Sequence, residues 1–194
     1  MKTFGLTGGI GMGKSAVTKI LCERGVPVVD TDLLAHQIVQ PGSPILEKIR
    51  REFGNEIVGP DGRLRRDELA KIIFADATAR KKLEDIMHPP IRELWLAQIE
   101  QWRGEQKPFA IVVIPLLFET SAEKNFDAIV CVACSAETQR QRLLQRGWTS
   151  RQIEQRIAAQ WPVEKKIATA NFVVWTEGGL DVLEEQLKRI FHFS

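Results

Sequence analysis

The stretch Gly5-Leu6-Thr7-Gly8-Gly9-Ile10-Gly11-Met12-Gly13-Lys14-Ser15 decides how the rest of the chain is read. From Gly8 the spacing is glycine, four residues, then Gly13, Lys14 and Ser15, which is the G-x-x-x-x-G-K-[ST] pattern of a phosphate-binding loop. Each residue type has a physical task there. The glycines let backbone N–H groups close on phosphate oxygens. Lys14 places a cation between the β- and γ-phosphates, and the Ser15 hydroxyl ligates Mg²⁺.

The flanks agree with that reading. Residues 3–7 are short and mostly apolar, a buried first strand. After the loop, Ala16, Val17, Ile20, Leu21 and Cys22 fall at helical spacing, and Gly25 and Pro27 stop the helix. The helix start adds its dipole to an anion site. A glycine-rich turn with an incidental lysine needs no such flanks, so a nucleoside triphosphate is the expected ligand.

Composition narrows the class. A chain of 194 residues allows one domain with embellishments. Its 44% hydrophobic and 27% charged content are those of an ordinary globular protein. A net charge of +2 argues against a general nucleic-acid surface. No apolar run reaches membrane-span length, and the first strand begins too early for a signal peptide, so a cytoplasmic protein is expected. The three cysteines, an odd count, fit a reducing compartment. Cys131 and Cys134 have C-x-x-C spacing, which zinc or redox sites use. They stand in an apolar run with no second Cys/His pair, which favours buried thiols.

Four more apolar runs read as strands: residues 26–29 ending at Asp30, 109–114, 128–133 and 172–175. They are near-continuous rather than alternating, as in strands covered on both faces. With helices between them, the fold expected is α/β, a doubly wound parallel five-stranded sheet of the P-loop kinase kind. About eighty residues separate the second and third strands, far more than a crossover needs. Helices are expected there at 43–53, 66–74, 76–87 and 91–103, with a turn at Gly59-Pro60-Asp61-Gly62.

The division expected is a core of 1–40, 105–134 and 170–194, a helical insertion over about 41–104, and a second enlarged connection over about 135–169. That connection sets Arg140, Arg142, Arg146, Arg151, Arg156, Lys165 and Lys166 against Glu137, Glu154 and Glu164. It reads either as a solvated helical hairpin or as a basic lid over a triphosphate, where arginine forks suit phosphates.

Phosphoryl transfer needs positioning, charge neutralisation and a group to orient the attacking oxygen. Asp30 and Asp32 follow the second strand, where either can order a Mg²⁺-bound water or accept the acceptor's proton. They serve equally to cap a helix over residues 33–39. The third strand ends in Ile114 where P-loop proteins commonly carry a metal-ordering acid, which leaves Asp30, Asp32 or Glu119 for that task. No Asn-Lys-x-Asp guanine-reading motif is present. A small-molecule kinase remains; a nucleotide-gated binding protein is the rival reading. His88-Pro89-Pro90 closes one expected helix and opens the next, and its histidine reads as structural or functional.

Together these stretches resemble the dephospho-coenzyme A kinase family. The resemblance rests on GLTGGIGMGKS, Val29-Asp30-Thr31-Asp32, Ile86-Met87-His88-Pro89, Pro115-Leu116-Leu117-Phe118-Glu119, Arg140 with Arg142, Arg156 with Gln160, and Ala170-Asn171-Phe172-Val173-Val174. It implies ATP and dephospho-coenzyme A as substrates, Mg²⁺ as cofactor, and a monomer or weak homo-oligomer. It puts the catalytic base on Asp32, the nucleotide on the loop from Gly8 to Ala16, and phosphate-facing arginines on Arg140 and Arg146. The acceptor site falls on Asp32, His88, Pro89, Leu116, Leu117, Phe118, Glu119, Arg156 and Gln160, with helical residues 41–104 holding the acceptor. Two departures stand out. Met12 replaces the family's usual serine and is expected to contribute a backbone N–H. Trp175-Thr176-Glu177-Gly178 replaces its Asp-Asn-Gly, and Trp175 is expected to be buried or to stack on a purine.

Overall fold

The computed structural model describes residues 1–192. In chain order its elements are β1 (Lys2–Thr7), α1 (Lys14–Glu23), β2 (Val28–Asp30), α2 (Thr31–Gln37), α3 (Pro44–Phe53), α4 (Arg66–Ala75), α5 (Ala77–Gly104) and β3 (Phe109–Val113). They continue as β4 (Ala128–Ala133), α6 (Ala136–Gln145), α7 (Ser150–Ala158), α8 (Val163–Thr169), β5 (Phe172–Trp175) and α9 (Leu180–Phe191). The chain divides into two compact units, one made of Met1–Val29 with everything from Gln101 onward, the other of Asp30–Glu100.

The first unit is built on a five-stranded sheet in the order β2-β3-β1-β4-β5. β1 runs parallel to β3, with Lys2 opposite Phe109, and to β4, with Phe4 opposite Ala128; β4 runs parallel to β5. The near-continuous apolar strands follow from cover on both faces. Leu6, Ile111, Val113, Val130, Val132 and Val174 are all buried, with Val17 and Leu21 of α1 and Leu183, Leu187 and Phe191 of α9 packed on them. The spacing of those three α9 residues is a single helical stripe, which is why that helix forms against the sheet. Phe191 meets Phe4 edge-on at 5.0 Å and stacks on Phe109 at 5.5 Å. The second strand is shorter than expected: residues 26 and 27 precede it, although the Pro27 carbonyl still accepts from Ile111 N–H at 2.9 Å.

The second unit has a small core of Val39, Ile49, Ile57 and Leu69. α3 starts where expected because Ser43 Oγ accepts from Leu46 N–H and Pro44 needs no partner at the first helical position. The turn closes through Gly62 N–H to the Gly59 carbonyl, with Gly62 at φ 73°, a value only glycine adopts freely.

Two expectations change here. α2 begins at Thr31, two residues before the expected start, so Asp32 lies within its first turn rather than ahead of it. The helices expected at 76–87 and 91–103 are one helix, α5, with Pro89 and Pro90 inside it. Each proline withholds an N–H from the preceding turn, a local cost of about 3 kcal/mol or more. Packing holds both halves: Leu83, Ile86 and Met87 lean on the core of this unit, and Trp95 and Ile99 are buried further on. Among the described residues no helix is long and apolar enough to cross a membrane.

Candidate active site

The phosphate loop joins β1 to α1. Gly8 has φ 151° and Gly13 has φ 93°, the latter capping α1 in the left-handed region. A β-carbon on Gly8 would stand 2.3 Å from the Val132 carbonyl oxygen, and one on Gly13 would stand 2.8 Å from Thr176 Oγ1. Neither position admits a side chain. The Lys14 ammonium folds back over the loop, donating to the Gly8 carbonyl at 2.8 Å and the Gly9 carbonyl at 3.1 Å. Ser15 is exposed at the second position of α1.

Met12 does more than supply a backbone N–H. Its side chain is buried, with Sδ 3.2 Å from Cys134 N and 3.4 Å from Cys134 Sγ, so it seats the loop on the end of β4. Its carbonyl accepts from Thr176 Oγ1 at 2.8 Å. Ile10 is held from both sides: its carbonyl accepts from Gln139 Nε2 at 2.7 Å, and its N–H donates to Gln160 Oε1 at 2.9 Å.

After β3 the chain turns through residues 115–119. Thr7 Oγ1 and Lys166 Nζ both donate to the Pro115 carbonyl, at 3.2 and 2.9 Å. Glu119 Oε1 takes Lys166 Nζ at 2.8 Å and the Trp161 N–H at 2.8 Å, so this acid is committed to protein partners rather than presented to a metal. Leu117 and Phe118 are buried; Phe118 stacks on Trp161 at 5.7 Å. They support the segment from behind, leaving Leu116 and Glu119 as its half-buried members.

Five cations of the basic connection meet protein groups in this structure. Arg140 donates to Ser150 Oγ at 2.8 Å and sits 3.7 Å from Glu154. Arg142 donates to Thr176 Oγ1 and to the Thr176 carbonyl. Arg156 lies over the Trp148 ring at 4.4 Å and Lys165 over Trp161 at 3.3 Å. Lys166 is fully buried. Arg146 is exposed at the end of α6.

At the end of β5, Trp175 is 45% exposed, which overturns its expected burial; its backbone N–H and carbonyl bond the Gln186 side chain. Glu177 accepts from Ser135 N–H and Thr138 Oγ1, bonds that hold its carboxyl below the ordinary range. Cys131 and Cys134 are buried thiols, and burial pushes Cys131 up to about 11. Among the described residues no group of three or more His, Cys, Asp or Glu is arranged to hold a metal.

Within the second unit, Asp30 Oδ1 accepts from Asp32 N–H at 2.8 Å and caps α2. Asp30 therefore has the capping role, while Asp32 occupies the first turn. His88 lies inside α5 near Lys81, Glu84 and Asp85, and lost hydration holds its imidazole below 6.5. His88 and Pro89 both keep exposed surface.

Against known proteins, the family model for dephospho-CoA kinase matches residues 2–181. The chain belongs to the dephospho-CoA kinase family. It is 41% identical over 190 residues to a dephospho-CoA kinase of Symbiobacterium thermophilum, covering 97% of this chain and 79% of that one. A solved structure from Thermus thermophilus superposes with a TM-score of 0.86 at 34% identity, over 98% of this chain and 96% of that one. The dephospho-CoA kinase of Campylobacter jejuni gives 0.71 at 30% identity, over 97% and 94%. Membership makes this chain a kinase of coenzyme A biosynthesis that phosphorylates dephospho-CoA at the expense of ATP.

Several residues around the loop carried no signal in the sequence. Gln139 is one glutamine in a polar helix, and nothing in its neighbours marks it as buried. Thr176 and Glu177 stood where the family pattern was broken. Lys166 did leave a trace: with Val163 and Ile167 it occupies the inward face of α8, where a leucine would be ordinary.

Proposed function

We propose that the chain transfers the γ-phosphoryl group of ATP to the ribose 3′-hydroxyl of dephospho-CoA, with Asp32 taking the proton of that hydroxyl. The observation that carries this reading is the loop: Gly8 and Gly13 in backbone shapes closed to other residues, and the Lys14 ammonium drawn across it, in a chain of this family. Lys14 and the later loop N–H groups hold the β- and γ-phosphates. Arg140 and Arg146, from the connection of residues 135–169 acting as a lid, offset charge on the transferred group. Helical residues 41–104 hold the acceptor, with His88 and Pro89 as its contacts there; in the first unit the acceptor contacts proposed are Leu116, Glu119 and Arg156.

Mg²⁺, when bound with the nucleotide, would supply charge neutralisation at its phosphates. The protein residues fit it: the exposed Ser15 hydroxyl is a hard oxygen that would ligate it, and Asp30 or Asp32 would order a water toward it. Mg²⁺ on nucleotide phosphates needs only one or two protein oxygens, which suits the described residues, among which no group of three or more His, Cys, Asp or Glu could hold a metal. Asp32 fits the base by its position directly after β2 and the Asp30-capped start of α2, which fixes its backbone. A monomer or weak homo-oligomer in the cytoplasm is the setting proposed, and the free thiols agree with a reducing one.

Acceptor choice tests the reading. ADP release with ATP and Mg²⁺ is measured against dephospho-CoA, AMP and adenosine. Turnover with dephospho-CoA alone is expected; a preference for AMP or adenosine would contradict the proposed acceptor.

A further inference from the structure

We infer that Gln139 and Gln160 are positioning residues that clamp the backbone of Ile10 on both sides and pre-set the phosphate loop for ATP; this rests on the loop binding the triphosphate. The loop has glycine at 8, 9, 11 and 13, so its free backbone has more conformations to lose than any other stretch of the chain. Ile10 is the residue in the middle of it. Gln139, only 6% exposed on α6, donates to the Ile10 carbonyl at 2.7 Å. Gln160, past the end of α7, accepts from the Ile10 N–H at 2.9 Å. One glutamine must present its amide nitrogen and the other its amide oxygen, so the two bonds pin the two peptide planes that meet at the Ile10 Cα.

Both glutamines are themselves held. A β-carbon on Gly11 would come within 3.3 Å of the Gln139 carbonyl and 3.0 Å of Leu143, which puts α6 directly against the loop. Gln160 precedes Trp161, whose N–H is fixed on Glu119 and whose ring is stacked on Phe118. The clamp engages the Ile10 N–H with a side chain, so phosphate contacts fall to the N–H groups that follow it. A loop ordered before the nucleotide arrives gives up less entropy on binding. Gln160 thereby serves the ATP side, not the acceptor wall where the family resemblance put it.

Gln139→Met and Gln160→Met keep side-chain bulk and delete the amide. Each should raise KM for ATP about five- to tenfold, the worth of one hydrogen bond, while KM for dephospho-CoA and kcat stay within about twofold. The double variant should fall short of the product of the two, because both act on the backbone of one residue. Amide exchange at Ile10 in the nucleotide-free protein should quicken in Gln160→Met at an unchanged melting temperature. That readout stands even if the buried Gln139 variant fails to fold. A raised KM for dephospho-CoA with ATP untouched would place Gln160 in the acceptor site and overturn the inference. A lowered KM for ATP would make Gln160 a competitor of phosphate and overturn it equally. Wild type that fails to bind ATP would instead sink the loop assignment itself.

Discussion

The ammonium of Lys166, without exposed surface, lies 2.8 Å from Glu119 Oε1 and 2.9 Å from the Pro115 carbonyl oxygen. One cation thus ties both ends of the segment after β3 to α8. Deleting it strands the Glu119 carboxylate, whose Oε2 is buried with no hydrogen-bond partner. Lys166→Met should therefore cost about 3–5 kcal/mol in urea unfolding, the usual penalty for breaking a buried pair from one side. Lys166→Met with Glu119→Gln should regain most of that loss. A single variant costing under about 1 kcal/mol would mean the pair is hydrated.

The thiols offer a simple check on the sheet. Cys131 and Cys134 are buried and burial raises both, which leaves little thiolate near neutrality, while Cys22 is exposed. A thiol-specific reagent at pH 7.5 should modify one cysteine in the native protein and three after unfolding. Rapid modification of all three without denaturant would contradict the packing of β4.

Much of this was legible beforehand because it is local. The loop pattern, the five apolar runs and the start of α3 at Ser43 each depend on neighbours in sequence. The prolines in α5 misled because packing at both ends outweighs two missing hydrogen bonds. The partners within the basic connection were hidden for a similar reason. Charge counts do not show that Arg142 is paired with Thr176, 34 residues away, or that Lys166 faces inward. Gln139 and Gln160 were invisible as loop partners because Ile10 lies 129 and 150 residues from them.

Acid should reveal the tie between β1 and β4. Asp127 Oδ2 accepts from Thr3 N–H at 2.6 Å and Thr3 Oγ1 at 2.9 Å, and those bonds hold its carboxyl below its ordinary 3.8. A carboxylate with a depressed native value stabilises above its unfolded value and loses that contribution as pH falls through the native one. Asp127→Asn should be less stable than wild type by about 1 kcal/mol at pH 7, a figure kept small by solvent exposure, and the gap should close toward pH 2. A gap that does not change with pH would show that the carboxylate's charge contributes nothing.

The most direct test of the central claim is Asp32→Asn, assayed for phosphoryl transfer to dephospho-CoA alongside ATP binding. The amide keeps the size of the side chain and cannot accept the hydroxyl proton. Turnover should fall at least about a hundredfold, the lower bound for a general base, with ATP affinity within about threefold of wild type. Turnover within tenfold of wild type would contradict Asp32 as the base and leave the proton of the 3′-hydroxyl to another group.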